Sequence, residues 1–343
     1  MIFKNTMLSA IDYFLPDTKI TSTELEEELS PIYKRLKLPE GRLELMTGIK
    51  ERRFWEPGTR PSMIAAEAAK KLLKKININK GEIDLLIHAS VCRDFLEPST
   101  ASVVHHALDL KPECNFFDLS NACLGVINSI MVAANMIEQG SIKRALIVSG
   151  ENGGPLLKET IEYLNGNMDI SRKSIKKYIA NLTIGSAGVA CLVSHKDFDP
   201  TGHQILGAVS MQDSSANILC QGDGTPHSLM METDSEELMK AGVKLATKTW
   251  KKTKEILNVE NEDLNWVLGH QVGSAHEKLT METLKLDKTP THITYPYLGN
   301  TGSAALPITL AKLEETGNIR REDLVALLGI GSGLSSIMMG VKW

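Results

Sequence analysis

Apolar and polar positions along this chain fall into blocks whose period keeps changing between strand-like and helix-like. Residues 7–13 and 83–89 are short apolar runs of strand length, and residues 61–76 set apolar side chains at helical spacing. A helix over 99–109 is followed by a strand around Phe116, Phe117 and Leu119. Residues 124–138 then read as a helix that is apolar on almost every face, and such a helix must be buried. A strand at 145–149 follows, then a charged stretch, 156–180, that reads as peripheral, then a glycine-rich entry into a buried strand at 185–194. The remainder runs through a helix at 238–257, a strand at 264–268, a helix at 273–285, a turn and helix from 295, and a strand at 324–328 that ends in Gly329-Ile-Gly-Ser-Gly333. Near the start, Thr23 and Glu26 have the spacing of a helix capping box. Strands alternating with helices predict an α/β fold.

The second half repeats the first. The helix end around Gly140 and Ile142 matches the one around Gly317 and Ile319, and the same offset carries Cys123 onto Asn300. The strand Ile83-Asp-Leu-Leu-Ile87 likewise matches Leu264-Asn-Trp-Val-Leu268, which sets Ala89 against His270. Two similar halves follow, 1–190 and 191–343. Polar residues stand at the carboxyl ends of their strands, where sites in open α/β sheets collect.

Cys123 falls where a strand turns into the apolar helix. Ser120 or Asn121 is placed to cap that helix, and unpaired N–H groups with the helix dipole favour a thiolate in the first turn. The local pattern fits a small core residue as well. His270 and Asn300 stand at equivalent junctions, and a thiol, an imidazole and an amide together suit acyl transfer through a thioester. The 329–333 loop can bring a backbone N–H to the same oxygen.

Composition narrows the classes. With 343 residues, 42% hydrophobic and 23% charged, the chain is an ordinary globular protein, and a net charge of −4 gives no reason to expect nucleic acid. Five scattered cysteines without a CxxC pair suggest neither a disulfide framework nor a zinc site, and the expectation is no metal. No signal peptide or transmembrane segment is read, so the expected compartment is the cytoplasm. Glu151 is expected to hydrogen-bond loop backbone and has no catalytic role in this reading.

Ser120-Asn-Ala-Cys-Leu-Gly125, Gly269-His-Gln-Val272, Leu298-Gly-Asn-Thr-Gly-Ser-Ala304 and Gly329-Ile-Gly-Ser-Gly-Leu334 resemble the thiolase superfamily, in its ketoacyl synthase III branch, over nearly the whole chain. The resemblance implies the five-layered αβαβα thiolase fold, a homodimer, Cys123 as acyl-accepting nucleophile and His270 with Asn300 as the pair at the condensing carbonyl. Val91-Cys-Arg-Asp-Phe-Leu-Glu-Pro-Ser-Thr-Ala101 is similar to the OleA-type enzymes, which condense two long-chain acyl-CoA molecules in olefin synthesis. In these a glutamate, here Glu97, reaches across the dimer as the base. An oxyanion hole is expected at Cys123 and Gly333. Lys50, Arg52, Arg53 and Trp55 are expected to receive CoA, since Arg pairs with phosphate and Trp stacks on adenine. No arginine follows His270-Gln271 closely, which favours free CoA over a carrier protein. No cofactor beyond CoA thioesters is expected, and downstream pathway enzymes are possible partners. The alternatives are a decarboxylating 3-oxoacyl-ACP synthase III with a malonyl donor and a non-catalytic acyl-chain-binding subunit.

Overall fold

The computed structural model describes residues 1–222 and 230–343. The first half contains β1 (Thr6–Phe14), β2 (Thr18–Thr21), α1 (Ser22–Glu28), α2 (Ser30–Leu36), α3 (Arg42–Thr47), β3 (Glu51–Phe54), α4 (Pro61–Ile76), β4 (Leu85–His88), α5 (Thr100–Leu108), β5 (Asn115–Asp118), α6 (Gly125–Glu138), β6 (Arg144–Glu151), α7 (Gly154–Gly166) and β7 (Ala187–His195). The second contains β8 (His203–Gln212), β9 (Cys220–Gly222), β10 (Met231–Thr233), α8 (Ser235–Leu257), β11 (Trp266–Gly269), α9 (Ser274–Thr283), α10 (Tyr295–Leu298), α11 (Ala305–Glu315), β12 (Leu324–Gly331) and β13 (Ser335–Lys342).

Nine strands form one hydrogen-bonded run, β11-β12-β13-β8-β1-β7-β6-β4-β5. The two halves meet at β1 and β8 through two residue pairs, Met7 with Gln204 and Leu8 with His203. Within each half the plan is the same. β4 lies parallel to β6, which is antiparallel to β7, which is antiparallel to β1. β11 lies parallel to β12, which is antiparallel to β13, which is antiparallel to β8. The duplication read from the motifs is therefore a duplication of topology. The division falls between His195 and His203. A boundary at 190/191 would cut β7, whose full length is paired with β1 and β6.

Strand side chains alternate between layers, as the pleat requires. Leu146 and Val148 face α4 and α5, packing with Ala65, Ala69, Leu72 and Val104. Ala145 and Ile147 face the middle layer, where α6 and α11 bring Ile127, Ile130, Ile308 and Leu310 against both halves of the sheet. Ala326 and Leu328 face Leu245, Trp250 and Met281 of α8 and α9. Helix, sheet, helix pair, sheet and helix make the five layers. The buried helix expected at 124–138 is α6, at the centre. Residues 156–180 are less peripheral than expected, because Leu157, Leu164, Ile175 and Tyr178 are buried against Leu25, Leu29 and Ile32 in a fourth cluster over the first half.

Candidate active site

Cys123 stands between the end of β5 and the start of α6. The preceding Ala122 holds φ at +45°, a left-handed conformation that turns the chain sharply into the helix. The helix has no side-chain N-cap: Asn121 donates its side-chain amide to Asn128 Oδ1 at 2.9 Å, so neither Ser120 nor Asn121 fills the expected capping role. Cys123 itself is half-buried. Removal from water pushes its thiol up to about 12, and the Glu151 carboxylate and the Cys220 thiol add to the effect. The expected thiolate is thus displaced by a neutral thiol at rest. The dipole of a helix end is worth less than desolvation at a site this enclosed.

His270 follows β11 directly. Its backbone N–H donates to Leu328 O on β12 at 3.0 Å. The ring is buried, and neither ring nitrogen has a hydrogen-bond partner among the described residues. Burial, with a smaller contribution from His276, lowers its pKa to about 3, so the imidazole is neutral. Gln271, quoted in the motif without a role, ties this turn to the next: its Oε1 accepts from Thr294 N (2.8 Å) and Tyr295 N (3.2 Å). The segment it holds leads through α10 to Asn300.

Asn300 is buried. Its backbone N–H donates to Thr183 O and its carbonyl accepts from Gly185 N, both at 2.9 Å. Gly185 permits this approach, since a Cβ there would lie 2.0 Å from Leu298 O. Asn300 Oδ1 accepts from Gly302 N at 3.1 Å, which leaves the amide nitrogen as the donor end. The Gly302–Ala304 turn then packs against α6. On the other side of Cys123, β12 ends at Gly331, where an added Cβ would come 3.7 Å from Cys123 N and 3.0 Å from Leu124 Cγ. The glycine set against Cys123 is therefore Gly331. Gly333, expected in the oxyanion hole, lies exposed at the following turn with φ at +122°.

Glu151 ends β6 in the same place. Oε1 accepts from Val91 N (3.0 Å), Ser303 N (3.0 Å) and Ser303 Oγ (2.7 Å), and Oε2 accepts from Cys92 N (3.3 Å). The hydrogen bonds to loop backbone expected of it are present, but they join both halves of the molecule. The only sequence signal was a lone carboxylate closing an otherwise apolar strand.

Glu97 lies on the loop between β4 and α5. It is exposed and makes no hydrogen bond or ion pair among the described residues. Its loop is fastened at both ends. Val91 and Cys92 are held by Glu151, while Asp94 accepts from Ser62 N (2.8 Å) and Ser62 Oγ (2.6 Å) and Asp118 accepts from Thr100 N and Ala101 N at the start of α5. Between the fastenings, Phe95, Leu96 and Glu97 project outward, with Leu96 85% exposed.

The expected CoA-binding residues divide. Arg52 is 0% exposed: its guanidinium donates to Ser22 Oγ (3.0 Å) and Leu182 O (3.1 Å), and burial lowers its pKa to about 10. It points inward from β3 into the cap over the first half and is not available to phosphate. Arg53 donates to Pro16 O, and Trp55 stacks on Phe14 while its indole N–H donates to Glu151 O. Phe14 thus covers one face of the indole. Lys50 is exposed.

A neutral thiol at a strand-to-helix turn, a buried neutral imidazole after β11 and a buried amide fixed by the turn that follows it, set in a duplicated five-layer fold, are the features of a thiolase-type condensing enzyme. Residues 117–214 match the family described as 3-oxoacyl-[acyl-carrier-protein (ACP)] synthase III, and 255–343 match that family's C-terminal part. The acyl-CoA:acyl-CoA alkyltransferases of Xanthomonas campestris and Shewanella oneidensis are each 35% identical to it, over all of both chains. A crystal structure of Xanthomonas campestris OleA, also 35% identical, superposes with a TM-score of 0.95 and covers 100% of this chain and 98% of that one. Another structure of that enzyme holds bound lauric acid and lauroyl-CoA. This chain belongs to the ketoacyl synthase III branch of the thiolase superfamily, in the OleA group.

Proposed function

We propose that this enzyme joins two long-chain acyl-CoA molecules head to head without decarboxylation, as a homodimer in which each protomer lends Glu97 to the other's site. The observation that carries the reading is the Glu97 loop. A malonyl donor generates its carbanion by losing CO2, whereas a plain acyl thioester must lose a C–H proton to a base. The loop is anchored at both roots and presents an exposed, unpaired carboxylate. In the Xanthomonas campestris enzyme, glutamate and cysteine variants have been crystallised whose two positions are separated by the same number of residues as Glu97 and Cys123. A homodimer is supported by β5. It is an edge strand of the sheet and carries exposed Phe116, and Val91, Phe95 and Leu96 of the Glu97 loop are exposed as well. A free strand edge among exposed apolar side chains favours pairing with a second copy.

In the first step the Cys123 sulfur attacks the thioester carbonyl of one acyl-CoA. Its proton passes to neutral His270 and then to the departing CoA thiolate, leaving acyl-Cys123 and free CoA-SH. The oxyanion is met by the Cys123 N–H and the 331–333 backbone. A second acyl-CoA then binds with its carbonyl oxygen toward His270 and the amide nitrogen of Asn300. Both are neutral donors, suited to an oxygen that gains charge as an enolate. The partner's Glu97 takes the α-proton, the α-carbon attacks the acyl carbonyl, the C–S bond breaks, and Cys123 regains a proton. The product is a 2-alkyl-3-ketoacyl-CoA or its hydrolysed β-keto acid. CoA enters past Lys50, Arg53 and Trp55. The free cysteines suit a reducing compartment such as the cytoplasm, and enzymes that consume a β-keto product are the expected downstream partners.

The test is product analysis by mass spectrometry with lauroyl-CoA as sole substrate. Wild type is expected to yield the condensed β-keto acid or the symmetric ketone derived from it, and Glu97→Ala only acyl-Cys123. Acylation with condensation only after malonyl-CoA is added would transfer the assignment to a decarboxylating synthase. No acylation of Cys123 would leave an acyl-binding protein.

A further inference from the structure

Glu151 is 3% exposed and ends a strand in which every other residue is buried. Its carboxylate collects four donors from two separate segments: Val91 N and Cys92 N at the root of the Glu97 loop, and Ser303 N and Oγ just after Asn300. It also fills the space over Gly302, where φ is +60° and an added Cβ would lie 2.9 Å from both Cδ and Oε1. Gly302 is the residue whose N–H orients the Asn300 amide. The neighbouring Asn152 strengthens the loop side, with its N–H 3.4 Å from Cys92 Sγ. One carboxylate thus holds the base loop and the amide turn, and its charge is felt by the Cys123 thiol.

We propose that Glu151 is a positioning residue that clamps the Glu97 loop and the Asn300 turn to each other, fixing the relation between the base-bearing loop and the amide that receives the condensing carbonyl. A charged acceptor shared by buried N–H groups is strong, and its removal leaves those donors unpaired. Condensation needs both segments in register, whereas acylation of Cys123 needs neither the base nor the second carbonyl site. The kinetic part of the proposal rests on the head-to-head reading, but the clamp itself does not.

The full-length enzyme with Glu151→Ala and Glu151→Gln supplies the test. Hydrogen exchange without substrate is the first readout. In Glu151→Ala the amides at 91–94 and 301–304 should exchange faster together, by ~10-fold or more, with α8 unchanged. Gln keeps an acceptor oxygen for Val91 and Ser303 and should restore most of that protection. Kinetics with lauroyl-CoA is the second. Condensation kcat should fall ~10-fold or more in Glu151→Ala while acylation of Cys123 and KM change less than ~3-fold, with Gln intermediate. Faster exchange in only one segment, or in neither, would overturn the clamp, and so would global loosening that Gln fails to rescue. Equal losses in acylation and condensation would reduce Glu151 to a fold-stabilising residue and overturn its positioning role. If wild type proved to be acylated yet unable to condense, the proposed function would fall, and the paired exchange response alone would decide for or against the clamp.

Discussion

At the scale of single residues, desolvation decides the resting state of the site. Burial moves the Cys123 thiol to about 12 and the His270 imidazole to about 3, opposite directions with one cause: each charged form is disfavoured away from water. The free enzyme therefore holds a thiol and a neutral imidazole, so in the proposed mechanism the proton leaves Cys123 as its sulfur attacks the bound thioester. Below its pKa a thiol loses about tenfold in thiolate per pH unit. Alkylation of Cys123 by iodoacetamide, followed by intact mass with Cys123→Ser as the baseline, should therefore climb steadily from pH 7 to pH 10. A plateau by pH 8 would mean a preformed thiolate–imidazolium pair. His270 carries a linked expectation for stability. Its folded pKa lies below the unfolded value, so the stability due to its neutral form is complete above the unfolded pKa near 6.5 and is lost as pH falls toward 3. His270→Asn, which cannot titrate, should flatten the loss of Tm between pH 6.5 and 4. An unchanged acid limb would assign that loss to other groups.

At the scale of elements, local pattern was legible where a segment's own periodicity decides its structure, and less so where a distant segment competes for the same side chain. Helix 61–76 coincides with α4, and 124–138 differs from α6 by one residue. The capping box is shifted. Thr21 and Glu24 cap α1, while Glu26 is drawn inside to accept from Gly41 N and Leu43 N at 2.6 Å and from Tyr33 Oη at 3.1 Å. The two boxes overlap in sequence, and only the fold shows which glutamate α3 needs. Strand β13 was not read, because an apolar strand buried on both faces lacks the alternation that identifies a half-exposed strand, and β8 was not read because Gly207 and Ala208 interrupt the alternation of its partly buried sequence. Arg52 looked like a surface cation because nothing local tells that alternate β3 side chains point into the cap. Arg52→Ala should therefore act on stability, at a cost of about 2–4 kcal/mol in urea unfolding with KM for lauroyl-CoA little changed. A raised KM at unchanged stability would restore it to CoA binding. Asp118→Ala removes the carboxylate that caps α5 behind the Glu97 loop and should cost about 1–2 kcal/mol, with condensation reduced more than acylation.

At the scale of the whole molecule, the repeat was the most legible feature, because two copies of one strand order set β5 before Cys123 and β11 before His270, although Asn300 follows the short helix α10 and not a strand. Glu97 is not placed by this internal repeat, and in the proposed mechanism it serves the site of a second molecule. The arrangement has a quantitative consequence. A Cys123→Ala protomer lacks the nucleophile but carries a sound Glu97, and a Glu97→Ala protomer has the reverse. Each homodimer should be inactive in condensation. A mixed dimer has one site with neither group and one site with both, so it should recover activity. With random assortment half of the dimers are mixed, and each has one competent site of two, so co-expressed variants should reach about a quarter of wild-type condensation per protomer, a result available only to a closed two-fold assembly. Purifying the mixed species through two different affinity tags should raise this to about half. Activity no greater than that of either variant alone would mean that Glu97 serves its own Cys123 or neither. A charge placed on the apolar edge, as in Phe116→Arg, should then separate the two ideas further. If the base comes from the second copy, the variant should become monomeric by light scattering and lose condensation while Cys123 still takes an acyl group from lauroyl-CoA. Monomers that still condense would remove the need for a second copy altogether.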